Sequence, residues 1–135
     1  MVRNTYLFDT SAVLTLIEDE DGADRVQQLL TQDQVLIPWS ALMEVYYITL
    51  QERGQAEADQ RYALIKSLPA TIFWNIDEAT LLTAGRLKAT YRLSFADALV
   101  AGLAAQHKAT LVHKDPEFEP LADQVELEAL PYKSR

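Results

Sequence analysis

Apolar positions recur along the chain in two alternating periods. Residues 5–8 form a short apolar run suited to a buried strand, and Asp9-Thr10-Ser11 behind it offers oxygens to cap a helix that continues through Ile17. Residues 22–31 carry Ala23, Val26, Leu29 and Leu30 at helical spacing. Residues 35–37 read as a second strand closed by Pro38; Ser40 opens a helix to Arg53, and Gly54 stops it. A helix over 56–68 ends before Pro69, and 71–76 reads as a third strand. Asp77 caps a helix to about Tyr91, another runs from Ser94 or Phe95 to near Lys108, and 110–112 is a fourth strand. Asp115-Pro116 begins a turn or short helix, and residues 125–130 form a last edge strand.

Strands alternating with helices predict an α/β domain with a mostly parallel sheet. At 135 residues, without repeats or linkers, residues 1–135 are expected to form a single domain. Sites in such sheets form beyond the carboxyl ends of the strands. Asp9 follows the first strand, Glu44 lies early in the helix after the second, and Asp115 follows the fourth. Two helices separate strands three and four, so counting directions does not place Asp97.

Composition narrows the classes. The chain is 49% hydrophobic, which permits a sizeable core, and it has no cysteine, which excludes disulfides and thiolate metal sites. No secretory leader pattern and no apolar run of ~20 residues is present, so a soluble, cytoplasmic protein that does not enter membranes is expected. A formal charge of −8 argues against broad, non-specific nucleic-acid binding. It leaves a nuclease open, because acids that hold cations are part of that total.

The sharpest chemical signal is isolation. Asp9 is the only charge between Asn4 and Ile17, Glu44 the only one between Trp39 and Leu50, and Asp97 the only one between Leu93 and Gln106. These are the most apolar stretches of the chain, so all three acids are expected to face the core. A buried carboxylate without a partner costs several kcal/mol. Either distant basic residues or a shared divalent cation must compensate, and convergence favours the cation. Hard oxygen ligands suit magnesium or manganese. Each acid also has a plainer role as an N-cap or a helix-dipole partner, and Asp115 before proline is an ordinary cap. Capping alone does not require each to be the lone charge of an apolar stretch.

His113, at a strand end two residues before Asp115, is read as a candidate contact for substrate or water, and His107 as a helix-terminal residue. Lys108 and Lys114 are read first as solvated surface. Arg86, Lys88 and Arg92 form either an RNA-facing strip or an ordinary polar face, while Trp39, Tyr46 and Tyr47 are read as core.

Four segments together carry a family resemblance: Leu7-Phe8-Asp9-Thr10-Ser11-Ala12, Ser40-Ala41-Leu42-Met43-Glu44-Val45, residues 93–101 around Asp97, and residues 111–118 around Asp115. In order and spacing they resemble the PIN-domain family and, within it, the VapC-type toxins of prokaryotic toxin–antitoxin pairs. The resemblance spans the chain. It implies a three-layer α/β/α fold and endoribonuclease activity dependent on magnesium or manganese. It also implies a homodimer and neutralisation by a cognate antitoxin. It makes Asp9, Glu44, Asp97 and Asp115 an acidic quartet, with Ser11 as a hydroxyl helper to Asp9. One position departs: where the family usually carries Thr or Ser two residues before the fourth acid, this chain has His113.

Two other readings compete. A phosphotransfer receiver-like domain also has an acidic pocket and a late lysine, here Lys114, but needs paired acids after strand one, where this chain has Asp9 alone. A non-catalytic acidic interaction module would use the carboxylates only structurally or for a partner's basic segment, and its melting temperature would ignore chelators and manganese.

Overall fold

In the computed structural model, which describes residues 4–133, the strands are β1 (Thr5–Phe8), β2 (Gln34–Pro38), β3 (Thr71–Phe73), β4 (Thr110–His113) and β5 (Leu127–Ala129). The helices are α1 (Thr10–Ile17), α2 (Ala23–Gln32), α3 (Trp39–Arg53), α4 (Gln55–Ser67), α5 (Glu78–Thr90) and α6 (Phe95–Gln106), with a 3₁₀ turn at Pro116–Leu121.

Successive strand residues point to opposite faces, and here both faces are covered. Leu7, Leu36 and Leu111 enter one core with Leu87, Leu103 and Phe118. Phe8, Ile37 and Val112 enter the other with Val13, Val26 and Val45. The fold is therefore a three-layer α/β/α sandwich. Buried on both sides, the strands read as apolar runs rather than alternating ones.

The sheet order is β3-β2-β1-β4-β5, and every pairing is parallel. From β1 the chain builds outward through β2 to β3, then crosses back to place β4 on the other side of β1. The crevice between the ends of β1 and β4 is thus a switch point, where open α/β sheets bind ligands.

Two strands are shorter than the sequence pattern predicts. β3 stops at Phe73 instead of reaching residue 76, because its partner β2 ends at Pro38, the residue paired with Phe73. β5 covers only the centre of the predicted 125–130 segment, although Leu111 N–H still donates to the Glu126 carbonyl (2.8 Å) and Leu130 N–H to that of His113 (2.7 Å).

Residues 74–77 lead to Asp77, which caps α5 by accepting the Thr80 N–H at 2.8 Å. α5 then packs antiparallel to α6, with the Gln106 side chain at the end of α6 donating to the Ala79 carbonyl and Thr83 near the start of α5. The hairpin returns the chain so that α6 begins at the site. Its contact is close: a Cβ on Gly102 would lie 2.8 Å from Ala84 Cβ and 3.0 Å from its Cα. Among the described residues no helix is long and apolar enough to cross a membrane.

Because backbone blocks that space, Gly102→Val is expected to destabilise the protein by about 1–3 kcal/mol. Urea denaturation followed by circular dichroism measures it; unchanged stability would contradict the close packing of α5 on α6.

Candidate active site

Three of the four acids, Asp9, Asp97 and Asp115, are placed by local capping turns, and Glu44 by a hydroxyl from α1. Asp9 follows β1 and caps α1, its carboxylate accepting the Ala12 N–H at 2.8 Å. The Ser11 hydroxyl, 2.7 and 2.8 Å from the two Asp9 oxygens, donates to that carboxylate. Thr10 Oγ1 donates to Glu44 on α3. Ser94 caps α6 by accepting the Asp97 N–H at 3.1 Å. Asp115 caps the 3₁₀ turn, accepting the Glu117 N–H at 2.9 Å.

These devices converge. Asp9, Glu44, Asp97 and Asp115 line one cavity of about 180 Å³ with Thr10, Ser11, Leu14 and Val100. Carboxylate oxygens of Asp97, Asp115 and Glu117 lie within 4.8 Å of one another. Asp9 is at the deep end, 5% exposed; Asp97, Asp115 and Glu44 are half-buried and Glu117 is exposed. Among the described residues, none of the four acids forms an ion pair with a lysine, arginine or histidine.

The electrostatics follow from that. Burial pushes Asp9 up to about 7, against the hydrogen bonds from Ser11 and Ala12, and the charges of Asp97 and Asp115 push the same way. Asp97 rises to about 6, chiefly by burial and then by Asp115, with Ser94 opposing. The cavity concentrates negative charge, and its donors are carboxylates and hydroxyls.

The supporting residues differ from expectation in several places. Ser11 does more than help Asp9: its Oγ also accepts the Lys114 N–H at 2.9 Å, joining the ends of β1 and β4. His113 does not line the cavity. It is 1% exposed, edge-on to Phe118 with centroids 5.1 Å apart, and its Nδ1 accepts the Asp115 N–H at 3.0 Å. An N–H aimed at Nδ1 requires that nitrogen to be unprotonated, in line with a pKa lowered by burial.

Lys114 is not solvated surface. Its side chain is 4% exposed, and its Nζ donates to the Asp21 carbonyl at 2.8 Å and lies 3.5 Å from Glu20. Nor is the aromatic group on α3 all core. Tyr47 is 42% exposed and Met43 56%, while Trp39 lines apolar grooves beside the site. Glu117 and Thr10 were missed by sequence reasoning. Glu117 had no clear local signal, because a 3₁₀ turn brings side chains back to one side after three residues and not two.

The sequence profile described as the PIN domain matches residues 6–124. The chain belongs to the PIN-domain family. No curated protein matches it by sequence. The PIN fold seen here is also that of VapBC2 from Rickettsia felis, solved with a promoter DNA fragment (17% identity, 94% of this chain and 99% of that chain covered, TM-score 0.79). VapBC-1 from nontypeable Haemophilus influenzae is similar at 20% identity, with 93% and 97% covered and a TM-score of 0.73. So is a sarcin–ricin-loop-cleaving VapC toxin from Mycobacterium tuberculosis, at 18% identity, 93% and 99% covered, TM-score 0.70.

The raised acids of this PIN domain make its stability pH-dependent. An acid whose pKa is higher folded than unfolded contributes stability that is fully present below its ordinary value near 3.8 and is lost as pH rises through about 7. Between pH 5 and pH 8 the Asp9 contribution is expected to fall by roughly 2–3 kcal/mol in chelator-treated protein. Asp9→Asn, neutral throughout, should remove that part of the drop in denaturation experiments. An equal drop in both proteins would show that Asp9 titrates normally.

Proposed function

We propose that the chain is a divalent-metal-dependent endoribonuclease and the toxin of a type II toxin–antitoxin pair. The observation that carries the reading is the convergence of Asp9, Glu44, Asp97 and Asp115 on one cavity where, among the described residues, no cationic side chain pairs with them.

That donor set fits magnesium or manganese: carboxylates, no thiolate, and no imidazole lining the cavity. Asp9, Glu44, Asp97 and Asp115 would hold one or two such ions, directly or through water, and Glu117 adds a carboxylate at the outer edge. A bound divalent cation supplies a water of lowered pKa and neutralises charge on the phosphodiester. The chain's own part is positioning. Ser11 and the Ala12 N–H hold Asp9 in one orientation. Thr10, the first residue of α1, holds Glu44 of α3 toward the cavity. The first turn of α6 fixes Asp97. Asp115, beside Asp97 in the same cavity, would complete the coordination or hold a water for the reaction.

The similarity in fold to VapBC structures supports a cognate antitoxin as partner and RNA as substrate. An exposed apolar face supports a homodimer. Phe95 is 76% exposed and Leu81 56%, and with Trp39, Ile76, Ala98 and Leu99 they line a groove of about 380 Å³. Contiguous apolar surface of this kind marks association sites.

Manganese is expected to raise the melting temperature reversibly, by about 2.7 kcal/mol of stability at 100 times its dissociation constant. Asp9→Asn should keep the fold and abolish metal-dependent RNA cleavage. Cleavage by that variant at the wild-type rate would reject the scheme. Phe95→Asp is expected to convert a dimer to a monomer in light scattering; a wild-type chain that is already monomeric would sink the dimer.

A further inference from the structure

We infer that His113 is a positioning residue for Asp115, which sets the direction of the Asp115 carboxylate through the backbone without touching cation or substrate. The inference rests on the metal-site reading above. The hydrogen bond from the Asp115 N–H to His113 Nδ1, 3.0 Å long, runs from residue i+2 to a side chain at residue i. Serine and threonine make the same bond in their hydroxyl turns. The imidazole therefore supplies, from the position where the resembling family usually has a hydroxyl, the acceptor that a hydroxyl would offer.

The bond constrains more than one peptide. With its N–H held, Asp115 caps the next turn at Glu117 N. That pair of bonds brings both carboxylates to Asp97, within 4.8 Å. The imidazole is itself clamped. Phe118, fully buried on the same 3₁₀ turn, meets it edge-on. Tyr132 lies across it at 6.3 Å between centroids, tied to the turn by a 2.8 Å bond from its hydroxyl to Glu119. Leu130 N–H holds the His113 carbonyl at 2.7 Å. The segment after β5 thus locks the ring that aims Asp115.

Three variants of the full chain separate the acceptor from the packing, read by calorimetric titration with manganese alone and by melting temperature. His113→Leu keeps a buried apolar side chain and removes the acceptor; manganese affinity should fall by about 10-fold or more. His113→Thr and His113→Asn lose packing and melt earlier, yet both can accept from the Asp115 N–H, and their affinity should stay near wild type. Affinity that follows melting temperature, with Leu binding better than Thr and Asn, overturns the positioning role, as does wild-type affinity in His113→Leu. Asp97→Asn is the control for the site itself. If the wild-type chain binds no manganese, or Asp97→Asn binds it equally well, the metal reading fails and this inference falls with it.

Discussion

Carboxylates crowded at the mouth of a sheet repel one another, and whatever carries them must resist that repulsion in the absence of a counter-charge. In this chain the resistance comes from backbone N–H groups and hydroxyls at helix starts. Asp9 and Asp115 each cap the turn that follows them, and Asp97 lies in the first turn of α6. The same N–H groups that need a cap favour a negative charge there. Capping and the gathering of acids on one cavity are therefore one arrangement and not rival explanations. The Ser11 hydroxyl is its centre: it donates to Asp9 and accepts from the backbone of Lys114, so the strands that deliver Asp9 and Asp115 cannot part independently.

Much of this is legible in the amino-acid sequence. Among the described residues, short apolar runs located the five strands, because strands buried on both faces read that way, and helical spacing together with capping and breaking residues located the six helices. Isolation of charge marked Asp9 for the stated reason, since its stretch enters the core, and Asp97 in part, since its stretch enters the core from Ala98 onward but carries Phe95, 76% exposed, in the first turn of α6. It found Glu44 for a partly wrong reason. The apolar stretch around Glu44 includes Met43, Tyr47 and Leu50, which are exposed. There the lack of charge marks an uncovered apolar face as well as a core, so Glu44 is half-buried. It is also the sixth residue of α3, beyond the turn where a helix dipole acts.

What the sequence withheld was direction. Nothing in residues 74–77 shows that the chain must run to the far end of α6 before α5 begins, so the edge occupied by Asp97 stayed open. Nor does a histidine at residue 113 announce whether its ring faces the cavity or the core. The side is set by Phe118 and Tyr132, which arrive from later in the chain. Long-range packing of this kind carries no local pattern. Lys114 was misread for the same cause: Glu20 and the Asp21 carbonyl reach it from the loop between α1 and α2.

Asp9 and Asp97, when charged, destabilise the fold they sit in, and the surrounding packing is built where that cost arises. α6 presses on α5 at Gly102 and Ala84 with no room for another methyl group, which leaves Asp97 little freedom to retreat from Asp115. β1 lies between β2 and β4, its Leu7 and Phe8 fully buried in opposite cores, so Asp9 cannot swing outward without pulling a strand from both. A looser fold would relieve the repulsion by letting the carboxylates separate into solvent. Here both cores oppose that motion, and the strain is left to be relieved by protonation or by a cation. Rigidity in the two apolar layers is thus what turns a set of capping acids into a site with an appetite for positive charge.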